Sequence, residues 1–190
     1  MNIGLYFGSF NPIHVGHMAI AQYMIENTEI DQLWFVVSPH NPLKKQDDIA
    51  QDDLRLEMVK LATEEFFPKM KVCDIELSMP RPSYTIDTLR ELKNKYPENK
   101  FAVILGSDSI DSITKWKDYQ SLLKENKIYV YPRQGSDLEA IKSTYSVDLI
   151  TAPILNVSST SIRESISEGK DVSNFLPEKV LKYIKKNRIY

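Results

Sequence analysis

Ile3-Gly4-Leu5-Tyr6-Phe7-Gly8-Ser9-Phe10-Asn11-Pro12-Ile13-His14-Val15-Gly16-His17-Met18 is the stretch that decides the fold. Ile3 to Phe7 is a short apolar run of strand type. Gly8 to Gly16 is a turn carrying glycine, proline and polar residues. Met18, Ala21 and Ile25 then recur at roughly helical spacing. Strand, polar turn and helix in this order open a βα unit.

The pattern repeats outward along the chain. Leu33 to Val37 is a continuous apolar run, expected of a strand buried on both faces. Ser38 to Asp48 has no periodicity and reads as a loop. A helix is predicted from near Asp52 and Asp53, with Leu54, Met58, Leu61 and Ala62 on one stripe. Lys71 to Leu77 reads as a strand, and Ser83 as the N-cap of a helix carrying Ile86, Leu89 and Leu92. Phe101 to Leu105 is the next strand, followed by Gly106-Ser107-Asp108 and a short helical stretch. Ile128 to Tyr131 and Val147 to Ile150 read as strands, with a helix over 137–143 between them. Ser158-Ser159-Thr160 caps a helix running through Ile166, and Pro177 suits the first turn of a last helix. The alternation predicts an α/β, Rossmann-like, doubly wound parallel sheet with C-terminal helices. It is expected to be one domain over 1–190, with a helical part from about 157 packed on it. Ligands of such sheets bind outside the carboxyl ends of the strands, where the turns 8–17, 38–45 and 106–108 are expected.

The chain has 190 residues, 24 Lys and Arg against 26 Asp and Glu, and a formal net charge of −2. That balance argues against a large nucleic acid as partner, because such binding usually needs a strong basic excess. One cysteine, Cys73, excludes a disulfide framework and reads as a small buried apolar residue. The longest apolar runs fall far short of the roughly 20 residues that span a bilayer. No signal peptide is visible, so the expected location is the cytoplasm.

All three histidines, His14, His17 and His40, fall just after the first two predicted strands. At a helix start, His14 and His17 share a face. A helix N-terminus attracts phosphate through its N–H groups and dipole, and two imidazoles there add hydrogen-bond donors. A histidine can also serve merely as a cap, but turn chemistry alone does not call for both. A second cluster, Ser158-Ser159-Thr160-Ser161-Ile162-Arg163, places hydroxyls and a forked cation at another helix start. There is no Gly-Lys-Ser/Thr of a P-loop, no Gly-x-Gly-x-x-Gly in the first turn and no His-Glu-x-x-His.

Taken together, the string Gly8 to His17 and the later Ser158 to Arg163 resemble the adenylyltransferase superfamily with the His-x-Gly-His signature. The segments between narrow the likeness. Ser83-Tyr84-Thr85-Ile86-Asp87-Thr88-Leu89, then Gly106-Ser107-Asp108 with Trp116 downstream, is similar to bacterial nicotinate mononucleotide adenylyltransferases. So are the Ser38–Lys45 loop and the Leu176-Pro177…Val180…Tyr183-Ile184 helix. The resemblance spans essentially the whole chain. It departs at Asn11, where the family commonly has Asp, and in the loop, where Ser-Pro-His-Asn-Pro-Leu-Lys replaces a Pro-Pro-His-Lys type.

The resemblance implies transfer of AMP from ATP to nicotinate mononucleotide. It assigns His14, His17 and Arg163 to catalysis. Gly8, Ser9, Phe10, Asp108, Ser158, Ser159 and Thr160 join them in binding ATP. Thr85, Tyr84, Trp116 and Gly106 are expected on the pyridine side, and Lys44, His40 and Arg133 at the mononucleotide phosphate. Mg2+ is expected to ride on ATP phosphates and water, with no dedicated protein ligands. A homo-oligomer is compatible with the sequence. Competing readings are a phosphopantetheine or nicotinamide mononucleotide adenylyltransferase, a cytidylyltransferase, and a non-catalytic nucleotide sensor. A fragment of a class I aminoacyl-tRNA synthetase would share the histidines, but its basic surface and appended domains are missing.

Overall fold

Six strands pair side by side, all parallel, in the order β3-β2-β1-β4-β5-β6. They are β1 (Asn2–Gly8), β2 (Gln32–Val37), β3 (Met70–Cys73), β4 (Lys100–Gly106), β5 (Lys127–Tyr131) and β6 (Asp148–Leu149) in a computed structural model that describes residues 1–39, 49–153 and 155–190. The helices are α1 (Val15–Asn27), α2 (Asp52–Thr63), α3 (Thr85–Lys95), α4 (Ser107–Asp111), α5 (Tyr119–Glu125), α6 (Leu138–Thr144), α7 (Ser159–Ser167) and α8 (Glu178–Asn187).

Strand side chains alternate between two cores, because successive residues point to opposite faces. Tyr6, Leu33, Phe35, Val37, Ala102, Ile104, Tyr129 and Tyr131 face one core, which α1, α2, α7 and α8 cover with residues such as Met24, Met58, Ile162 and Val180. Ile3, Leu5, Trp34, Val36, Val103, Leu105, Ile128 and Val130 face the other, against Ile86 and Leu89 of α3, Ile110 of α4, Leu122 of α5 and Ile141 of α6. Both faces are thus helix-covered, which is why the strands read as unbroken apolar runs. The sheet order reverses between β1 and β4. Their carboxyl ends, Gly8 and Gly106, therefore flank the crevice where ligands bind in such sheets.

Four local expectations are corrected. The strand predicted over Lys71 to Leu77 stops at Cys73 and turns into a 3-10 helix at Ile75–Ser78, which buries the Glu76 carboxylate against two hydroxyls. Ser83 does not cap α3: its hydroxyl donates to Glu76 at 3.0 Å, and Tyr84 holds the N-cap position instead. The buried stripe of α2 is turned by one residue, to Arg55, Met58, Val59 and Ala62, with Leu54 and Leu61 half-buried. The last strand shrinks to Asp148–Leu149 at the sheet edge.

Candidate active site

The turn after β1 is held from several sides before any ligand arrives. Phe10 has φ +46° although it is not glycine, a conformation costing about 1–3 kcal/mol that persists only where its surroundings over-determine it. Its ring is buried against Phe35, Tyr6 and His17, with ring centroids 5.4, 5.8 and 5.1 Å away. Arg55 Nη1 donates to the Ser9 carbonyl at 2.5 Å, and Arg163 Nη1 to the Asn11 carbonyl at 3.0 Å. Ser159 Oγ donates to the Pro12 carbonyl at 2.9 Å. Asn11 Oδ1 accepts from the Ala50 N–H at 3.1 Å and from the Tyr190 hydroxyl at 2.5 Å. Asn11 makes this pair of bonds as a neutral acceptor.

The histidine pair forms the start of α1. His14 is its N-cap; its Nδ1 accepts from the Gly16 N–H at 3.1 Å, while the His14 N–H donates to His17 Nδ1 at 3.2 Å. The cap role and the ligand role are therefore compatible. Both Nδ1 atoms are acceptors, so this hydrogen-bond pattern assigns the ring proton of each histidine to Nε2. The rings stack with centroids 3.7 Å apart, giving two adjacent Nε2–H donors at a helix N-terminus. His14 is only 4% exposed. Burial, and after it the positive charge of Arg133, pushes its pKa down to about 4, so it is a neutral donor at pH 7.

Arg133 follows β5 and faces the same cleft. That cleft is lined by Tyr6, His14, Gly16, His17, Tyr131 and Arg133, with Leu155 and Val157 at its outer side. Arg133 Nη2 donates to the Tyr131 hydroxyl at 3.1 Å, and that hydroxyl pairs with the Tyr6 hydroxyl at 3.1 Å. Arg133 Nε lies 3.7 Å from Asp108 Oδ1 and is buried with no hydrogen-bond partner. The Ser107 hydroxyl accepts from the Arg133 N–H at 2.8 Å and pairs with Ser136 at 2.6 Å, tying this loop to the end of β4. Two glycines permit the close packing. A Cβ on Gly16 would sit 2.9 Å from Val157 Cγ1, and one on Gly106 would sit 3.2 Å from Arg133 Nε and closer still to Asp108.

The structure thus brings together His14, His17 and Arg133, with Gly106 and the exposed Asp108 beside them. Gly8, Ser9 and Phe10 form the turn itself, and Phe10 enters it through its backbone because its ring is core. Arg163 and Ser159 sit against the outer side of that turn. Ser158 is the N-cap of α7, its hydroxyl accepting from the Ser161 N–H, and Thr160 is exposed. Tyr84 and Thr85 lie at the start of α3, which no side chain caps. Lys117 lies 4.9 Å from the centre of the Tyr84 ring and pairs with Asp87 at 2.7 Å. Trp116 is half-buried against the second core. None of these three pyridine-side residues lines the histidine cleft. His40 and Lys44 lie outside the described residues.

Sequence reasoning missed Arg55, Tyr131, Ser107 and Glu76. Arg55 left a signal, an arginine on the apolar stripe of an amphipathic helix, and Ser107 sat inside the Gly106-Ser107-Asp108 motif. Cys73 is buried, and burial pushes its thiol up to about 11, so it is inert as a nucleophile.

A parallel sheet in this order, with two imidazole donors at the start of its first helix, defines the class of cytidylyltransferase-like nucleotidyltransferases. The cytidylyltransferase-like family model matches residues 5–165. A protein of Flavobacterium johnsoniae described as "Probable nicotinate-nucleotide adenylyltransferase" is 50% identical over 192 residues, covering 100% of this chain and 99% of its own. One of Bacteroides fragilis with the same description is 46% identical, covering 95% and 90%. The chain belongs to the nicotinate-nucleotide adenylyltransferase family. Its fold is shared by the nicotinic acid mononucleotide adenylyltransferase of Plasmodium falciparum, solved in complex with NaAD, at TM-score 0.84 and 24% identity. That likeness covers 100% of this chain and 97% of the other.

Proposed function

We propose that this chain transfers AMP from ATP to nicotinate mononucleotide, releasing pyrophosphate and giving nicotinate adenine dinucleotide for NAD biosynthesis. The observation that carries the reading is the pair of Nε2–H donors in a family member that covers 99% of a relative half identical to it. An oxygen of the mononucleotide phosphate attacks the α-phosphorus, a P–O bond forms, and the bond to the bridging oxygen breaks as pyrophosphate leaves with its electrons. The nucleophile is already anionic, so no general base is needed. The protein's work is to position two polyanions and to offset their charge.

His14 and His17 donate to the α-phosphoryl and bridging oxygens. Arg133, in the same cleft with an unmet Nε–H, is reassigned from the mononucleotide phosphate alone to the seam between the two reacting phosphates. Arg163, with Ser159 and Thr160, takes the β- and γ-phosphates, and Ser158 fixes that helix start. Gly8, Ser9 and Phe10 line the reaction centre through their backbone, with Gly106 beside it, and Asp108 accepts ribose hydroxyls. Thr85, Tyr84 and Trp116 receive the pyridine ring and its carboxylate, with His40 and Lys44 at the mononucleotide phosphate. Mg2+ is assigned to phosphate oxygens and water. Among the described residues no group of three or more His, Cys, Asp or Glu is placed to hold a metal, and this ion commonly keeps several waters. We read residues 1–190 as one domain acting in the cytoplasm. Among the described residues no helix is long and apolar enough to cross a membrane.

The test is pyrophosphate release from Mg-ATP with nicotinate mononucleotide, nicotinamide mononucleotide and phosphopantetheine as separate acceptors. Release with nicotinate mononucleotide alone is expected. Release only with phosphopantetheine overturns the acceptor side, and ATP binding without release from any acceptor favours a sensor.

A further inference from the structure

Arg55 is completely buried in a position that an amphipathic helix normally fills with an apolar residue. All five of its N–H donors are used. Nε donates to the Ala50 carbonyl at 2.9 Å, Nη1 to Ser9 at 2.5 Å and Ser38 at 2.8 Å, and Nη2 to Pro39 at 3.2 Å and to the Asp52 carboxylate. The four carbonyls come from three segments: the turn after β1, the end of β2 and the entry to α2. The outer oxygen of Asp52 accepts from Arg81 at 2.6 Å, which anchors the pair from solvent. A lysine, with one point charge and no planar fork, cannot serve these partners together.

The Ser9 carbonyl belongs to the peptide that precedes left-handed Phe10, whose ring packs on His17. Arg55 thereby reaches the histidine pair through one peptide and one ring. We propose, resting on the AMP-transfer reading above, that Arg55 is a positioning residue: it sets the Ser9–Phe10 peptide and so the placement of His17 against the reacting phosphates. It touches no substrate itself.

Arg55→Lys tests this through kinetics and site-resolved amide exchange. Turnover is expected to fall about 30- to 300-fold with each KM within about threefold, because small misplacements cost rate rather than binding. Exchange over residues 9–14 should accelerate at least about tenfold while Leu5 and Val103 keep their protection. A folded variant with turnover within about twofold of the parent, or one whose exchange rises uniformly, overturns the proposal. Should Arg55→Lys fail to fold, Asp52→Asn keeps the four carbonyl bonds and loses only the anchor. Turnover about three- to tenfold lower, with faster exchange confined to 9–14, is then expected; parental values for both overturn it. Parent protein that transfers no AMP to nicotinate mononucleotide would sink the functional reading, whereas the exchange pattern judges Arg55 independently.

Discussion

Two helices of this chain, α1 and α7, begin with the same device, a reciprocal cap between the N-cap residue and the residue three positions on. In α1 the pair is His14 and His17; in α7 it is Ser158 and Ser161. The first pair is buried to half-buried and its rings are stacked, so its donors are fixed in direction and stripped of most competing water. The second pair is exposed, and its hydroxyls bond each other at 3.0 Å in contact with solvent. One cap motif thus serves two ends. Beside the Tyr6 and Phe10 rings it fixes the direction of the donors that the proposed transfer needs, where electrostatic terms are large. At the surface it shapes the start of the helix that carries Arg163, the residue proposed above to hold the β- and γ-phosphates.

The largest expected effect comes from removing the half-buried donor of α1. His17→Ala is expected to stay folded and to lose about two to four powers of ten in turnover, measured as pyrophosphate release. Turnover near the parent's would take His17 out of the mechanism.

Burial at α1 also has a pH signature. The folded pKa of His14 is depressed to about 4 from 6.5, so between those values the unfolded chain binds the proton that the folded one refuses. Stability from this group is therefore full above pH 6.5 and is lost as pH falls towards 4, by on the order of 3 kcal/mol. Urea unfolding of the parent and of His14→Asn, which keeps a capping side chain, checks this. The variant's midpoint should depend less on pH across that window, and equal slopes would contradict the burial argument.

At α7 the expected effects are smaller. Arg163→Ala removes a charge-assisted donor worth about 1.5–3 kcal/mol, so the KM for ATP should rise about tenfold to a hundredfold with the acceptor KM little changed. Ser158→Ala should cost only about 1 kcal/mol of stability, the usual worth of an N-cap, and leave turnover of the folded enzyme close to the parent's. A large turnover loss in Ser158→Ala would mean that the exposed cap does chemistry like the buried one.

The α/β alternation was legible because buried parallel strands must be continuously apolar and their helices must carry a stripe. The α1 start was legible because the turn and both capping histidines sit in consecutive residues. What stayed hidden depends on contacts across the chain. Tyr131 enters the site only because β5 lies beside β4, and Ser107 only because its hydroxyl meets the 133–136 loop. Glu76 read as part of a strand, because its hydroxyl partners, Ser83 and Thr88, come from a segment further on. Arg133 was singled out, but its place beside His14 follows from strand order, which periodicity does not encode.

The proposed transfer depends most on both α1 histidines presenting Nε2–H to the phosphates from capped rings. With only three histidines in the chain, nitrogen-15 spectra of histidine-labelled protein at pH 7, with and without a non-hydrolysable Mg-ATP analogue, report on each ring. The Nε2–H form for His14 and His17 and a shift of both Nε2 signals on binding are expected. A protonated His14, an Nδ1–H tautomer of either ring, or Nε2 signals indifferent to the nucleotide would contradict the proposal.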